Sequence, residues 1–319
     1  MSRIVVVGAG AWGTALAVQA VRAGHRTTLV ARTEAAASAI RTAGESPRLP
    51  GIRLPDPIEV RGDIPEADLL LWVVPTQHLR TSLDRLTRTG GDVLVCAKGV
   101  ETGTNLLPLE VVASVLPALS TGILTGPNFA GEVARGLPAA AVVASADADL
   151  RERVQTLLGT PAFRLYGNDD PVGAQLGGAA KNVIAIAAGA VMGAGLGENA
   201  RAALVTRGLS ELRRLAVALG GQAETVMGLS GLGDLLLTCT GPSSRNFSLG
   251  LALGRGERLD DILASRSAVT EGVSTAAAVV ARAGDVELPI CRAVAELVAG
   301  VRTLDQAIEH LLSRPQRDE

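Results

Sequence analysis
Five short apolar runs, at residues 4–7, 27–31, 69–74, 93–97 and 122–124, recur along the first part of the chain with helix-length stretches between them. They are nearly continuous rather than alternating, as strands buried on both faces require, and their spacing predicts a parallel sheet with helices on both sides. Further strands are expected at 139–144 and 162–166. Beyond Tyr166 the β-branched runs cease, and residues 175–192 and 200–219 carry Ala and Leu at helical spacing. The pattern divides the chain near residue 170 into an α/β domain with a doubly wound parallel sheet, 1–170, and an all-α domain, 171–319.

The residues just past each strand carry the first chemistry. Gly8, Arg32, Pro75, Lys98 and Gly126 follow the first five runs, at the edge where open doubly wound sheets bind ligands. The first junction reads Gly8-Ala9-Gly10-Ala11-Trp12-Gly13 and enters a helical pattern. The first glycine permits the tight turn, the second lets a pyrophosphate approach the backbone, and the third lets helix pack on strand, while the helix N-terminus favours the anion. At a strand-to-helix turn, this GxGxxG predicts a Rossmann dinucleotide site rather than a merely glycine-rich loop. At the second strand's end, where an acidic residue usually takes the ribose hydroxyls of NAD, stands Arg32. A guanidinium there can pair with the 2′-phosphate of NADP, so NADPH is the expected cofactor; Glu34 nearby leaves NADH open.

Composition narrows the partners. With 319 residues, 47% hydrophobic and 19% charged, the chain has ample core for about two domains. A net charge of −2, a pI near 6.0, and only two Trp, one Tyr and three Phe give nucleic acid no platform. Cys96, Cys239 and Cys291 and the three histidines His25, His78 and His310 are scattered, so no metal site is expected. No charged leader precedes residues 4–7, and the apolar stretch 183–194 falls short of the ~20 residues that cross a bilayer. A cytoplasmic protein without a membrane span is expected.

Of the 30 lysines and arginines, only Lys98 and Lys181 are lysines. A guanidinium cannot release its proton near neutrality, whereas a partly desolvated amine serves as general acid or base. Lys181 lies in an apolar helical stretch, with Gly177 and Gly178 on the preceding turn leaving its face open to backbone or ligand. Further on, Ser244, Arg245 and Asn246 open a helical segment at 247–253. A serine, backbone amides, a guanidinium fork and an amide together suit a phosphate, although an ordinary N-cap with a surface arginine would use the same residues. Asp234, between glycines and apolar neighbours, requires a cationic or hydroxyl partner, either structural or on a substrate.

In order along the chain, GAGAWGTALA at 8–17, CAKG at 96–99, GPNFAGEVARGLPAA at 126–140, QLGGAAKNVIAIAAG at 175–189, ARAALVTRGL at 200–209, GDLLLTCTGPSSRN at 233–246 and TEG at 270–272 resemble the NAD(P)-dependent glycerol-3-phosphate dehydrogenases. That resemblance implies an N-terminal Rossmann domain, a helical C-terminal domain, a homodimer, and interconversion of dihydroxyacetone phosphate and sn-glycerol 3-phosphate for phospholipid synthesis. It implies that Lys181 is the proton donor, with Lys98, Gly126, Asn128, Asp234, Ser244, Arg245 and Asn246 around the substrate. The cofactor would meet Gly8, Gly10, Ala11, Trp12, Gly13, Arg32, Lys98, Ala130, Arg245, Val269 and Glu271. Ala11, Asn128 and Arg32 depart from the family pattern, in which serine or an aromatic, serine or threonine, and histidine are frequent. Two rival readings carry part of these features. A β-hydroxyacid dehydrogenase would use the Rossmann domain and lysine but needs a carboxylate site in place of GPSSRN; a nonenzymatic NADPH sensor would need neither the amine nor the phosphate cluster.

Overall fold
The computed structural model describes residues 1–86, 91–117, 119–266 and 270–315. The chain packs as two compact units: the first takes Met1–Lys98 and Leu107–Gln175, the second Gly99–Leu106 and Leu176–Glu319. The short segment Gly99–Leu106 therefore belongs with the second unit, although the sequence places it amid the strands of the first.

The first unit is built on one eight-stranded sheet: β1 (Arg3–Val7), β2 (Arg26–Val30), β3 (Ile58–Arg61), β4 (Leu69–Trp72), β5 (Asp92–Val95), β6 (Thr121–Thr125), β7 (Ala139–Ala144) and β8 (Phe163–Asn168), in the order β3-β2-β1-β4-β5-β6-β7-β8. The seven expected strands are present, with ends displaced by up to two residues. β3 was not expected. Its sequence IEVR alternates buried and exposed positions at the sheet's rim, directly after a Pro-Asp-Pro turn, so it lacks the continuous apolar run of a central strand. The sheet also departs from the uniformly parallel expectation at its far edge: β7 runs antiparallel to β6, and β8 parallel to β7. Residues 126–138, with the six-residue helix Ala130–Arg135, join β6 to β7. β1 to β6 consequently deliver their carboxyl ends to one edge, with Gly8, Arg32, Lys98 and Gly126 beyond it.

Helix Ala11–Arg22 starts from Gly10 and buries Gly13 through Ala20 against the sheet. The turn is feasible only with glycine. Gly8 sits at φ 119°, and a Cβ on Gly13 would lie 1.8 Å from the Gly8 carbonyl oxygen.

The described part of the second unit carries helices and no strand. Helix Pro171–Gly193 begins with Asp170 accepting the Gly173 N–H at 2.8 Å, with proline in its first turn. By length and mean hydropathy (1.4) it could cross a bilayer, because Lys181 is the only charge it carries, but 89% of the qualifying stretch is buried inside the protein, as in the core helix of a globular fold. Its glycines meet those of helix Arg245–Gly254 backbone to backbone. A Cβ on Gly189 would lie 2.0 Å from the Phe247 oxygen, and one on Gly250 1.9 Å from the Ile186 oxygen. Larger residues at either place would force the helices apart.

The three cysteines are free and buried. Burial pushes the Cys239 thiol up to about 12, and those of Cys96 and Cys291 up as well, so all three are inert packing groups.

Candidate active site
The first unit supplies a site made largely of backbone. The first-turn N–H groups after Gly10 have no intrahelical acceptor by construction, and no side chain caps them. A Cβ on Gly10 would meet nothing within 4 Å, so the side of the turn that a pyrophosphate would approach is open, whereas the Gly8 and Gly13 sides are closed by protein. Ala11 and Trp12, the expected cofactor neighbours, are half-buried on this turn. The residues present fit a dinucleotide.

Arg32 is exposed two residues past β2. Glu34, the carboxylate that could have served a ribose hydroxyl, is already engaged: Arg41 donates to it at 2.6 Å and the Gly62 N–H at 3.0 Å. The Arg41 hydrogen bond, opposed by a little desolvation, holds this carboxyl below the usual glutamate range. Glu34 is thus engaged within the protein, while Arg32 stands exposed beyond the same strand.

Further along the same edge, Lys98 donates from Nζ to the Gly126 carbonyl at 3.1 Å, while its own carbonyl accepts from Thr76 Oγ1 at 3.0 Å. Gly126, at φ 120°, lies against Ala141. Asn128 donates from Nδ2 to the Ala140 carbonyl at 3.2 Å, and its buried Oδ1 has no partner among the described residues. That oxygen is an acceptor suited to a ligand hydroxyl. Ala130 begins the following short helix. Four expected residues thus lie past the ends of two neighbouring strands, β5 and β6.

The second unit's site is built from buried side chains. Lys181 is 6% exposed and Asp234 1%. The Lys181 ammonium is ion-paired with Asp234 Oδ1 and donates to Thr238 Oγ1 at 2.9 Å, and Thr238 donates onward to the Asp234 carbonyl at 2.6 Å. Asp234 opens helix Asp234–Cys239 after a π-helical turn at Leu229–Gly233. That turn passes so close to the lysine helix that a Cβ on Gly177 would lie 2.6 Å from the Ser230 oxygen. The small residue before Lys181 therefore admits backbone, and the required partner of Asp234 is the lysine itself.

Beside Lys181, Asn182 accepts on Oδ1 from Asn246 Nδ2 at 2.9 Å, and Asn246 Oδ1 accepts the Gly272 N–H at 3.0 Å. Asn246 is thereby a buried pin joining three helices, with one amide hydrogen left by stoichiometry for a ligand. Ser244 caps helix Arg245–Gly254, its Oγ accepting the Phe247 N–H at 3.2 Å. Arg245 is exposed, and its carbonyl accepts from Arg266 at 2.8 Å. Glu271 begins helix Glu271–Ala283; Val269 lies outside the described residues. Sequence reasoning missed Thr238, Asn182 and Thr76. Thr238 had a signal, standing four residues after Asp234 on the same helical face; the other two had none.

A GxGxxG turn at the head of a 3-2-1-4-5-6 strand order, together with a buried lysine in a helical unit, defines a Rossmann-type dinucleotide-dependent enzyme class. Two family profiles, described as the N-terminus and C-terminus of NAD-dependent glycerol-3-phosphate dehydrogenase, match residues 3–151 and 170–309. A glycerol-3-phosphate dehydrogenase [NAD(P)+] from Acidiphilium cryptum is 54% identical, covering 98% of this chain and 97% of the relative; that of Parvibaculum lavamentivorans is 50% identical, covering 99% and 98%. The crystal structure of a glycerol-3-phosphate dehydrogenase from Coxiella burnetii superposes with a TM-score of 0.94 at 35% identity, covering 98% of this chain and 99% of that one. The chain belongs to the NAD-dependent glycerol-3-phosphate dehydrogenase family.

Proposed function
We propose that this protein reduces dihydroxyacetone phosphate to sn-glycerol 3-phosphate, reversibly, with NADPH preferred and NADH accepted, in the cytoplasm and as a homodimer, and so supplies glycerophospholipid synthesis. Residues 1–170 are taken as the dinucleotide domain and 171–319 as the helical substrate domain. The observation that carries the reading is the buried Lys181–Asp234–Thr238 group, tied through Asn182 to Asn246 at a helix start furnished with Ser244 and Arg245. A proton-bearing amine and an anion-binding helix start stand in one small unit.

A bound nicotinamide would supply hydride for the ketone carbon. Gly8, Gly10, Ala11, Trp12 and Gly13 hold the pyrophosphate region through backbone N–H groups and close approach, and Arg32 takes the 2′-phosphate. As charge develops on the carbonyl oxygen, the Lys181 ammonium stabilises it and gives it a proton, leaving a neutral amine that solvent reprotonates. Asp234 keeps that amine charged between turnovers, and Thr238 fixes its direction. Arg245, Ser244 and the remaining Asn246 amide hydrogen bind the substrate phosphate, whose remote binding energy positions a three-carbon molecule that offers little else to hold. Lys98, Gly126 and Asn128 present polar groups to substrate from the sheet edge, and Lys98, Ala130, Arg245, Val269 and Glu271 complete the cofactor contacts. A β-hydroxyacid dehydrogenase gains support from the lysine but not from the helix start, and an NADPH sensor from neither.

The test compares wild type and Arg245→Ala on dihydroxyacetone phosphate and on unphosphorylated dihydroxyacetone. Turnover of the phosphorylated substrate falls sharply in the variant, and the feeble activity on the other changes little. Equal losses on both would remove Arg245 from the phosphate site. No wild-type turnover on dihydroxyacetone phosphate with either cofactor would overturn the reading.

A further inference from the structure
Arg32 does not stand alone at the carboxyl ends of β2 and β3. Arg85, just after helix Leu79–Leu83, reaches across both strand ends: its Nη2 donates to the Gly62 carbonyl at 2.6 Å and to that of Ala31, the residue before Arg32, at 3.4 Å. Its other guanidinium nitrogens have no protein partner among the described residues. The carboxylates of this corner are occupied by other cations. Asp63 receives both arms of the Arg61 fork, at 3.0 and 2.7 Å, and Glu34 receives Arg41 and the Gly62 N–H. The Gly62 backbone is pressed against the start of the Glu34 helix so closely that a Cβ would fall 2.7 Å from the Glu34 nitrogen. This fixes the positions of Glu34 and of the carbonyl that anchors Arg85. The corner has two carboxylates, Glu34 and Asp63, paired with Arg41 and Arg61, and two guanidinium groups, of Arg32 and Arg85, that form no ion pair among the described residues, although the Arg85 charge is felt at Asp63.

We propose that Arg85 is a second specificity-determining residue for the 2′-phosphate, acting beside Arg32 on a corner kept positive because Arg41 neutralises Glu34. The inference rests on the NADPH reading above and deepens it. A phosphate monoester carries nearly two charges at neutral pH, more than one exposed guanidinium matches. A cation anchored by two carbonyls meets it with little loss of side-chain freedom. Arg41 acts at a distance: without it, Glu34 would stand beside the ribose as an uncompensated anion, repelling a 2′-phosphate and accepting a 2′-hydroxyl.

Adenosine 2′,5′-bisphosphate and AMP differ only by that phosphate, so calorimetric affinities of the whole protein for the two isolate the contact without catalysis. Wild type binds the bisphosphate more tightly. Arg85→Gln loses about tenfold of that preference, as expected for one partly screened charge-assisted contact, and keeps its AMP affinity. Arg41→Gln narrows the preference about threefold to tenfold by leaving the Glu34 carboxylate without its compensating cation. No preference in wild type would sink the NADPH reading itself. A preference abolished by Arg32→Ala but untouched by Arg85→Gln would overturn this inference alone, and so would equal losses for both probes, the mark of a purely structural tie between strand ends. Should Arg85→Gln fail to fold, Arg41→Gln decides: an unchanged preference in that variant overturns the charge account.

Discussion

The two units build their sites from opposite materials. In the first, the turn Gly8 to Gly13 is a matter of backbone: Gly8 and Gly13 are dictated by carbonyl oxygens 2.4 and 1.8 Å from where a Cβ would stand, and the donors it offers are amide groups at a helix start. In the second, the candidate site consists of buried side chains that satisfy one another, Lys181 with Asp234 and Thr238, and Asn246 with Asn182 and Gly272. A backbone site fails when an atom is added. A buried ionic site fails when one is taken away, because the partner is left charged and alone.

Substitutions on each side sharpen that contrast. The largest effect is expected from Asp234→Ala, which takes the carboxylate from the buried Lys181 ammonium and costs about 3–5 kcal/mol. Urea unfolding measures it, and the variant's affinity for adenosine 2′,5′-bisphosphate stays at the wild-type level because the first unit's turn is untouched. A loss below about 1 kcal/mol would mean that the pair is not desolvated as its burial indicates. Gly13→Ala follows, at about 1–3 kcal/mol, since the added methyl must displace the Gly8 carbonyl. Here the order reverses: bisphosphate and AMP affinity both collapse while the lysine site keeps its structure, readable as an unchanged Lys181 side-chain resonance. Arg32→Ala is milder, lowering NADPH affinity about tenfold and NADH affinity little, because an exposed ion pair is partly screened. Equal losses for the two cofactors would assign Arg32 to the shared pyrophosphate region.

The smallest effect tests a buried carboxylate outside both sites. Glu211 accepts the N–H groups of Ile290 and Cys291 at 2.7 and 3.1 Å, at the start of helix Pro289–Val298. Burial nevertheless raises its pKa above the ordinary value, the two hydrogen bonds only partly offsetting it. Folding therefore favours the protonated acid. The stability this group contributes is full below the unfolded value, about 4.3, and declines as pH rises through the higher folded value. Glu211→Gln removes that decline, so the stability gap between variant and wild type, of about 1 kcal/mol, shifts in the variant's favour as pH rises. A pH-independent gap would contradict the assignment.

How far each region could be read in advance follows from the same physics. The GxGxxG turn was legible because steric exclusion leaves glycine as the only residue that fits at Gly8 and Gly13, at a spacing fixed by one strand-to-helix geometry. The central strands β1, β4 and β5 were legible because burial on both faces demands unbroken apolar runs. β3 escaped because a rim strand needs only alternation, and the reversal of β7 escaped because direction depends on the connection rather than on the strand. In the second unit, Lys181 stood out through the rarity of lysine in an arginine-rich chain, and the need of Asp234 for a cation could be argued from its apolar neighbours. Their pairing could not, since it depends on how Gly177 lets the Leu229–Gly233 turn approach. Asn246 shows the limit most clearly: its amide reads equally well as phosphate ligand or as structural pin, and the structure shows that at least two of its hydrogen-bonding groups serve the pin.

The account rests on the amine of Lys181 delivering a proton, and single-turnover reduction of dihydroxyacetone phosphate by the Lys181→Arg enzyme at saturating NADPH tests it most directly. Arginine keeps a cation opposite Asp234, so the second unit stays folded and NADPH binding stays intact, while the rate of NADPH oxidation falls by about 10² to 10⁴, the range of general acid catalysis. A variant rate within about threefold of wild type, outside that range, would contradict the account and pass the proton-donor role to Lys98, the chain's other lysine.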